Sequence, residues 1–146
     1  MASVHDVAAY ILHKTGSMSA MRLEKLVYYC QAWSTVWDER PLFPERIEAW
    51  ANGPVVPALY ELHRGVFSLD HWAGDPSKLD AKAIETIDAV LDGYGDLNAQ
   101  ELSDLTHAEL PWRAAREGLD PMERGNHEVS LATMCEYYST LQPADG

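Results

Sequence analysis

The sequence predicts a mainly α protein: a single compact domain of six to seven helices with a small two-stranded β ribbon over about residues 41–52. Three observations predict it. Apolar residues recur at i, i+3, i+4 and i+7 along most of the chain. Cap and terminator residues bracket those stretches at spacings that suit short globular helices. Strand-like alternation is confined to residues 47–50.

Val4, Val7, Ala8, Ile11 and Leu12 fall at helical spacing, and Gly16 closes a first helix of about ten residues. Ser19 caps the second, whose stripe of Leu23, Leu26, Val27, Cys30, Trp33 and Trp37 holds its rhythm for about four turns. This helix is expected at the centre of the core. Pro41 and Pro44 break the pattern, and Ile47 to Trp50 then alternates, with Leu42-Phe43 expected as its partner strand. Two strands alone are marginal, so the ribbon must lean on the helices.

Asn52-Gly53 is a hairpin signal. Pro54 argues against it, because proline brings no N–H to a returning ladder, so an extended crossing into the next helix is expected. Pro57 suits the first position of a helix running to about Arg64, with Gly65 as terminator. Asp80 caps a helix bearing Ile84, Ile87, Val90 and Leu91, which Gly93 is expected to stop. Asn98 and Glu101 form a capping box with Leu97 and Leu102 as its staple, and this helix runs to about His107. Pro111 opens a short helix that Gly118 ends. Ser130 caps the last, with Val129 and Met134 as staple. The domain is expected to span 1–141, with a flexible tail over 142–146.

A chain of 146 residues suffices to bury one core. Its 47% apolar and 23% charged residues are ordinary for a globular protein and exclude disorder. The formal net charge of −12 counts against direct nucleic-acid binding, because neutralising phosphates supplies most of that affinity. A basic protein partner suits it better. Residues 70–109 concentrate the field, with ten acids against Lys78 and Lys82. No apolar run approaches a membrane span, and the N-terminus lacks a signal-peptide pattern, so a cytoplasmic location is expected.

No active site is advertised. The six histidines make no H-E-x-x-H. His107-Ala-Glu109 matches half of a zinc deaminase signature, but P-C-x-x-C is absent. Cys30 and Cys135 have no C-x-x-C spacing and read as structural thiols. Nucleophile-elbow, P-loop and dinucleotide motifs are missing. The protein is expected not to be an enzyme, with no catalytic residue, metal or cofactor. In "LSDLTHAELPW" (102–112), Thr106 or His107 is placed to cap backbone at a helix junction, and Trp112 to bury its ring while its N–H finds an acceptor.

"RLEKLVYYCQAW" (22–33), "PLFPERIEAWANGPVVPALY" (41–60), "LSDLTHAELPW" (102–112) and "VSLATMCEYY" (129–138) together resemble the Panacea, or SocA-like, antitoxin domain. Lys25, Leu26, Tyr28, Tyr29, Glu48, Trp50, Gly53, Pro54, Thr106, His107, Pro111 and Trp112 carry the pattern. The resemblance implies a mainly helical antitoxin, or a phage or mobile-element relative, without enzymatic activity. It implies neutralisation of a cognate toxin, encoded next door, by direct protein binding; alternatives are delivery of the toxin to a protease, or an acidic anti-defence decoy that mimics nucleic acid. A domain serving many toxins keeps its motif as scaffold, so Lys25, Leu26, Tyr28, Tyr29, Glu48, Gly53, Pro54, Pro57, Thr106, Pro111 and Trp112 are assigned there. Trp50, Asn52, Trp72, Asp88, Asp92, Asp96 and His107 are the candidate partner-binding residues, with Trp37, Trp50 and Trp72 the apolar anchors. Homo-oligomerisation stays open.

Overall fold

The computed structural model describes residues 2–141. Its helices are α1 (Val4–Thr15), α2 (Ala20–Trp37), α3 (Pro57–His63), α4 (Ala81–Tyr94), α5 (Ala99–Ala108), α6 (Leu110–Ala115) and α7 (Leu131–Ser139). Its strands are β1 (Met18–Ser19), β2 (Glu48–Trp50), β3 (Gly53–Val55) and β4 (Ser68–Leu69), in two antiparallel pairs, β1 with β4 and β2 with β3. The expected tail, 142–146, lies outside the described residues.

The mainly α class holds, and α2 is the axis of the molecule. It packs against α1, α4, α5, α7 and β3. Every residue from 23 to 35 is buried, so the helix is covered all round rather than along one apolar stripe. Such burial draws in polar groups, which must be paired. Gln31 meets that demand by accepting from the Leu42 N–H at 2.7 Å and donating to the Phe43 carbonyl at 2.9 Å.

That pairing corrects the expected ribbon. Leu42 and Phe43 spend their backbone groups on Gln31 and form no strand. The partner of β2 is β3, across a two-residue turn of Ala51 and Asn52, with Ala49 opposite Pro54 and Trp50 opposite Gly53. Asn52-Gly53 was therefore a true hairpin signal, and the argument from Pro54 fails. In an antiparallel ladder, directly opposed residues alternate between bonded and non-bonded pairs. Ala49 turns both backbone groups away, its N–H to the His127 carbonyl at 2.8 Å and its carbonyl to Arg116 Nη1 at 3.0 Å, so Pro54 faces no group that needs a donor. The Val129 N–H bonds the Ile47 carbonyl at 2.8 Å, and this segment lines the other edge of β2.

The caps at Ser19, Asp80, Asn98 and Ser130 all accept from the first turn of their helices. Gly93 does not stop α4. The helix continues to Tyr94, and the Gly95 N–H closes it on the Leu91 carbonyl at 2.8 Å. A single glycine costs a helix only about 1 kcal/mol, which the buried Ile87, Val90 and Leu91 outweigh. The β1–β4 pair leaves no sequence signal because two residues are too few to show alternation. Among the described residues, no helix is long and apolar enough to cross a membrane.

Candidate functional site

Four successive carbonyls of the β2–β3 hairpin are each met by a side chain. Arg116 Nη1 donates to Ala49 at 3.0 Å and Trp112 Nε1 to Trp50 at 2.8 Å. His107 Nε2 bonds Ala51 at 2.9 Å, and Ser103 Oγ donates to Asn52 at 2.8 Å. The donors are two i, i+4 pairs, Ser103 with His107 on α5, and Trp112 with Arg116 at α6 and its cap. Residues at that spacing share one helix face, so each helix offers two donors in a row. Pro111 allows the tight break between the helices that sets the two faces against one turn. The Trp112 ring is 7% exposed, with its N–H satisfied as anticipated. It packs edge-on to His107 at 4.1 Å, beneath the Arg116 guanidinium at 5.1 Å.

Three charged groups lie deep beneath this clamp. Lys25 is fully buried, its Nζ has no hydrogen-bond partner among the described residues, and burial holds its amine down at about 8. Glu24, also fully buried, accepts from the Val56 N–H at 2.8 Å and pairs with His63 Nε2 at 2.7 Å. It thereby fixes the entrance and the end of α3 together. Glu109 accepts from Tyr29 at 2.7 Å and Tyr138 at 2.8 Å, and burial raises its carboxyl above the ordinary range. Tyr28 bonds Tyr138 at 2.9 Å, which completes a phenol network across α2 and α7. Beside it, burial pushes Tyr94 up to about 12. His107 and Glu109 thus face different surroundings and share no ligand position.

The residues assigned to partner binding divide into two regions. Trp50, Asn52 and Trp72 lie along α3, joined by a chain of aromatic contacts. Trp50 meets Tyr60 at 4.8 Å, Tyr60 meets His63 at 5.3 Å, and His63 meets Trp72 at 6.2 Å. A groove of about 790 Å³ borders Trp50, Asn52, Tyr60 and Arg124. Tyr60 also borders a second, apolar groove of about 250 Å³ with Val66 and Phe67. Val66 joins that to a third, of about 440 Å³, with Leu62, Asp70 and Trp72. His107 stands behind the same turn, half-buried, with both ring nitrogens against carbonyls of Ala51 and Ser103. Trp37 lies elsewhere, 42% exposed and stacked on Trp33 at 4.8 Å.

The acids belong to α4 and its surroundings, and most have work inside the fold. Asp70 pairs with His71, Asp75 caps the turn at Ser77, Asp80 binds Arg40, and Asp88 binds Lys14 and Tyr10. The Arg40 bond holds the Asp80 carboxyl down at about 2. Glu101 closes the capping box, Asp104 takes Gln100, and Glu109 takes the two tyrosines. Glu85, Asp92 and Asp96 are exposed and have no such partner among the described residues.

Sequence reasoning passed over Glu24, His63, Arg116, Tyr60, Leu62 and Phe67. Only Phe67 left a usable trace, as a large apolar residue between Gly65 and Ser68 where a turn would be polar.

The scaffold assignments fall on buried positions at Lys25, Leu26, Tyr28, Tyr29, Gly53, Pro54, Thr106, Pro111 and Trp112, and on half-buried ones at Glu48 and Pro57. No curated protein and no solved structure significantly matches the chain. The family model described as "Antitoxin SocA-like, Panacea domain" matches residues 23–113, which take in α2, the hairpin and the clamp through Trp112. The chain therefore belongs to the SocA-like antitoxin, Panacea-domain family.

Proposed function

We propose that the protein is an antitoxin that neutralises a partner toxin by direct protein–protein binding, in the cytoplasm, without catalysis and without a cofactor. Family membership carries this reading: the matched segment spans the central helix and the clamped hairpin, and the family's name supports an antitoxin-like role. The net charge of −12 favours a partner with a basic surface, because long-range attraction raises encounter rates. The uncommitted acids Glu85, Asp92 and Asp96 serve that steering.

Co-expression with the product of the neighbouring open reading frame tests it. The expected result is growth rescue and co-purification at a fixed stoichiometry. Rescue accompanied by protease-dependent loss of the toxin assigns the delivery role instead. Absence of both rescue and co-purification overturns the proposal.

A further inference from the structure

The largest exposed apolar side chains that lie close together in the sequence belong to one short segment. Leu62 is 65% exposed, Val66 47% and Phe67 83%. Their backbone is held firmly. Gly65 adopts φ +83°, the Val66 N–H bonds the His63 carbonyl at 2.8 Å, and the Phe67 carbonyl accepts from the Ala20 N–H at 2.8 Å. The buried Glu24–His63 pair anchors the segment from below, and β4 ties its far end to β1. A ridge that is apolar, exposed and rigid is organised for binding, because little conformational entropy remains to be lost on contact.

We propose that this ridge, with the grooves on either side of it, is the docking surface for a segment of the partner protein; this rests on the antitoxin reading above. The grooves form one strip along α3, since Tyr60 and Val66 each border two of them. Charge along the strip selects the occupant. At the hairpin end Glu48 is already engaged by Arg46 and the Trp50 N–H, which leaves Arg124 as the uncommitted charge. Arg64 borders the middle groove with no partner among the described residues, Asp70 at the Trp72 end is already paired with His71, and Glu61 borders none of the three. The segment that fits carries apolar anchors on both sides of Val66 and Phe67 and carboxylates toward Arg124 and Arg64. Apolar centres with charged edges are the ordinary anatomy of a tight protein interface.

Calorimetry against the purified product of the neighbouring open reading frame, with growth rescue in parallel, tests the surface. Leu62→Ser with Phe67→Ser removes the ridge at positions whose exposure spares the fold, which circular dichroism verifies. The expected loss of affinity is about 30-fold or more, the scale of hot-spot residues. Arg124→Glu should lose about tenfold, while Glu85→Gln with Asp92→Asn on α4 should lose less than about threefold. Wild-type rescue together with undiminished binding by the ridge variant overturns this inference and leaves the antitoxin reading standing. A wild-type protein that neither binds nor rescues overturns both. A wild-type homodimer that the ridge variant converts to monomer assigns the ridge to a second copy of this chain, and also overturns the proposal.

Discussion

Gly53 and Lys25 occupy each other's margin: a Cβ on Gly53 would stand 2.7 Å from Lys25 Cε and 3.2 Å from Thr106 Oγ1. Gly53 also sits at φ +120°, a conformation that L side chains rarely adopt. The glycine that reads as a turn signal therefore serves a second purpose, to let the hairpin close over a buried lysine.

Gly53→Ala is expected to destabilise the protein by about 2–4 kcal/mol, from backbone strain and the collision together. Urea denaturation monitored by tryptophan fluorescence measures it. A double-mutant cycle with Lys25→Ala should show favourable coupling of about 1 kcal/mol, because the shorter side chain removes the collision but not the strain.

Lys25 makes stability depend on pH in a predictable direction. The unfolded lysine holds its proton to about 10.4, whereas the buried amine releases it near 8. Between those values the unfolded chain binds more protons, so the lysine's contribution to stability rises with pH. Lys25→Met has no such proton, and its advantage over the wild type should shrink by about 2–3 kcal/mol from pH 8 to pH 10. Burial raises Cys30 and the buried tyrosines, which favours unfolding in alkali, but both proteins share these groups. The difference between the two denaturation curves isolates Lys25.

Glu109 Oε1 accepts both tyrosine hydroxyls. A glutamine oxygen accepts both as well and carries no buried charge, so Glu109→Gln should lie within about 1 kcal/mol of wild type. Glu109→Ala orphans the buried Tyr29 hydroxyl, leaves Tyr138 with Tyr28 alone and opens a cavity, and should cost about 2–4 kcal/mol. Thermal unfolding of the pair separates the two outcomes.

Trp112→Phe keeps one aromatic ring in the pocket and deletes the N–H that meets the Trp50 carbonyl. The expected cost is about 1–2 kcal/mol, against about 3–5 kcal/mol for Trp112→Ala. Amide exchange should quicken at Gly53 and Val55, because the hairpin loses one of its four clamps.

On the proposed antitoxin reading, association with the partner should slow as salt rises, since steering by net charge is screened within about 10 Å at 0.1 M. Neutralising Glu85, Asp92 and Asp96 should slow association about two- to threefold and leave dissociation unchanged. Stopped-flow measurements at several ionic strengths separate the two rates. A change confined to dissociation would place these acids in the contact surface instead.

Most helices were legible because their signals are local. Asn98 and Glu101 are three residues apart, and their capping box depends on little else. Pro54 was misread for the opposite reason. Whether its missing N–H matters depends on where the Ala49 carbonyl finds a donor, and that donor, Arg116, lies far along the chain. The acids are overread in the same way: Asp88 looks like free surface charge until Lys14 and Tyr10 reach it from α1, and Asp80 takes Arg40, from the turn after α2, in addition to capping its helix.

By itself the sequence determined the helical class, the start of nearly every helix, and the residues that mark the family, because caps, turns and apolar period act over four residues or fewer. Tertiary structure alone decided that β3 is the partner of β2, that four side chains of two helices meet four consecutive carbonyls, and that Leu62 and Phe67 face outward. Those outcomes depend on which distant groups reach a donor, an acceptor or a covering surface first, and only the packed chain brings them within bonding distance.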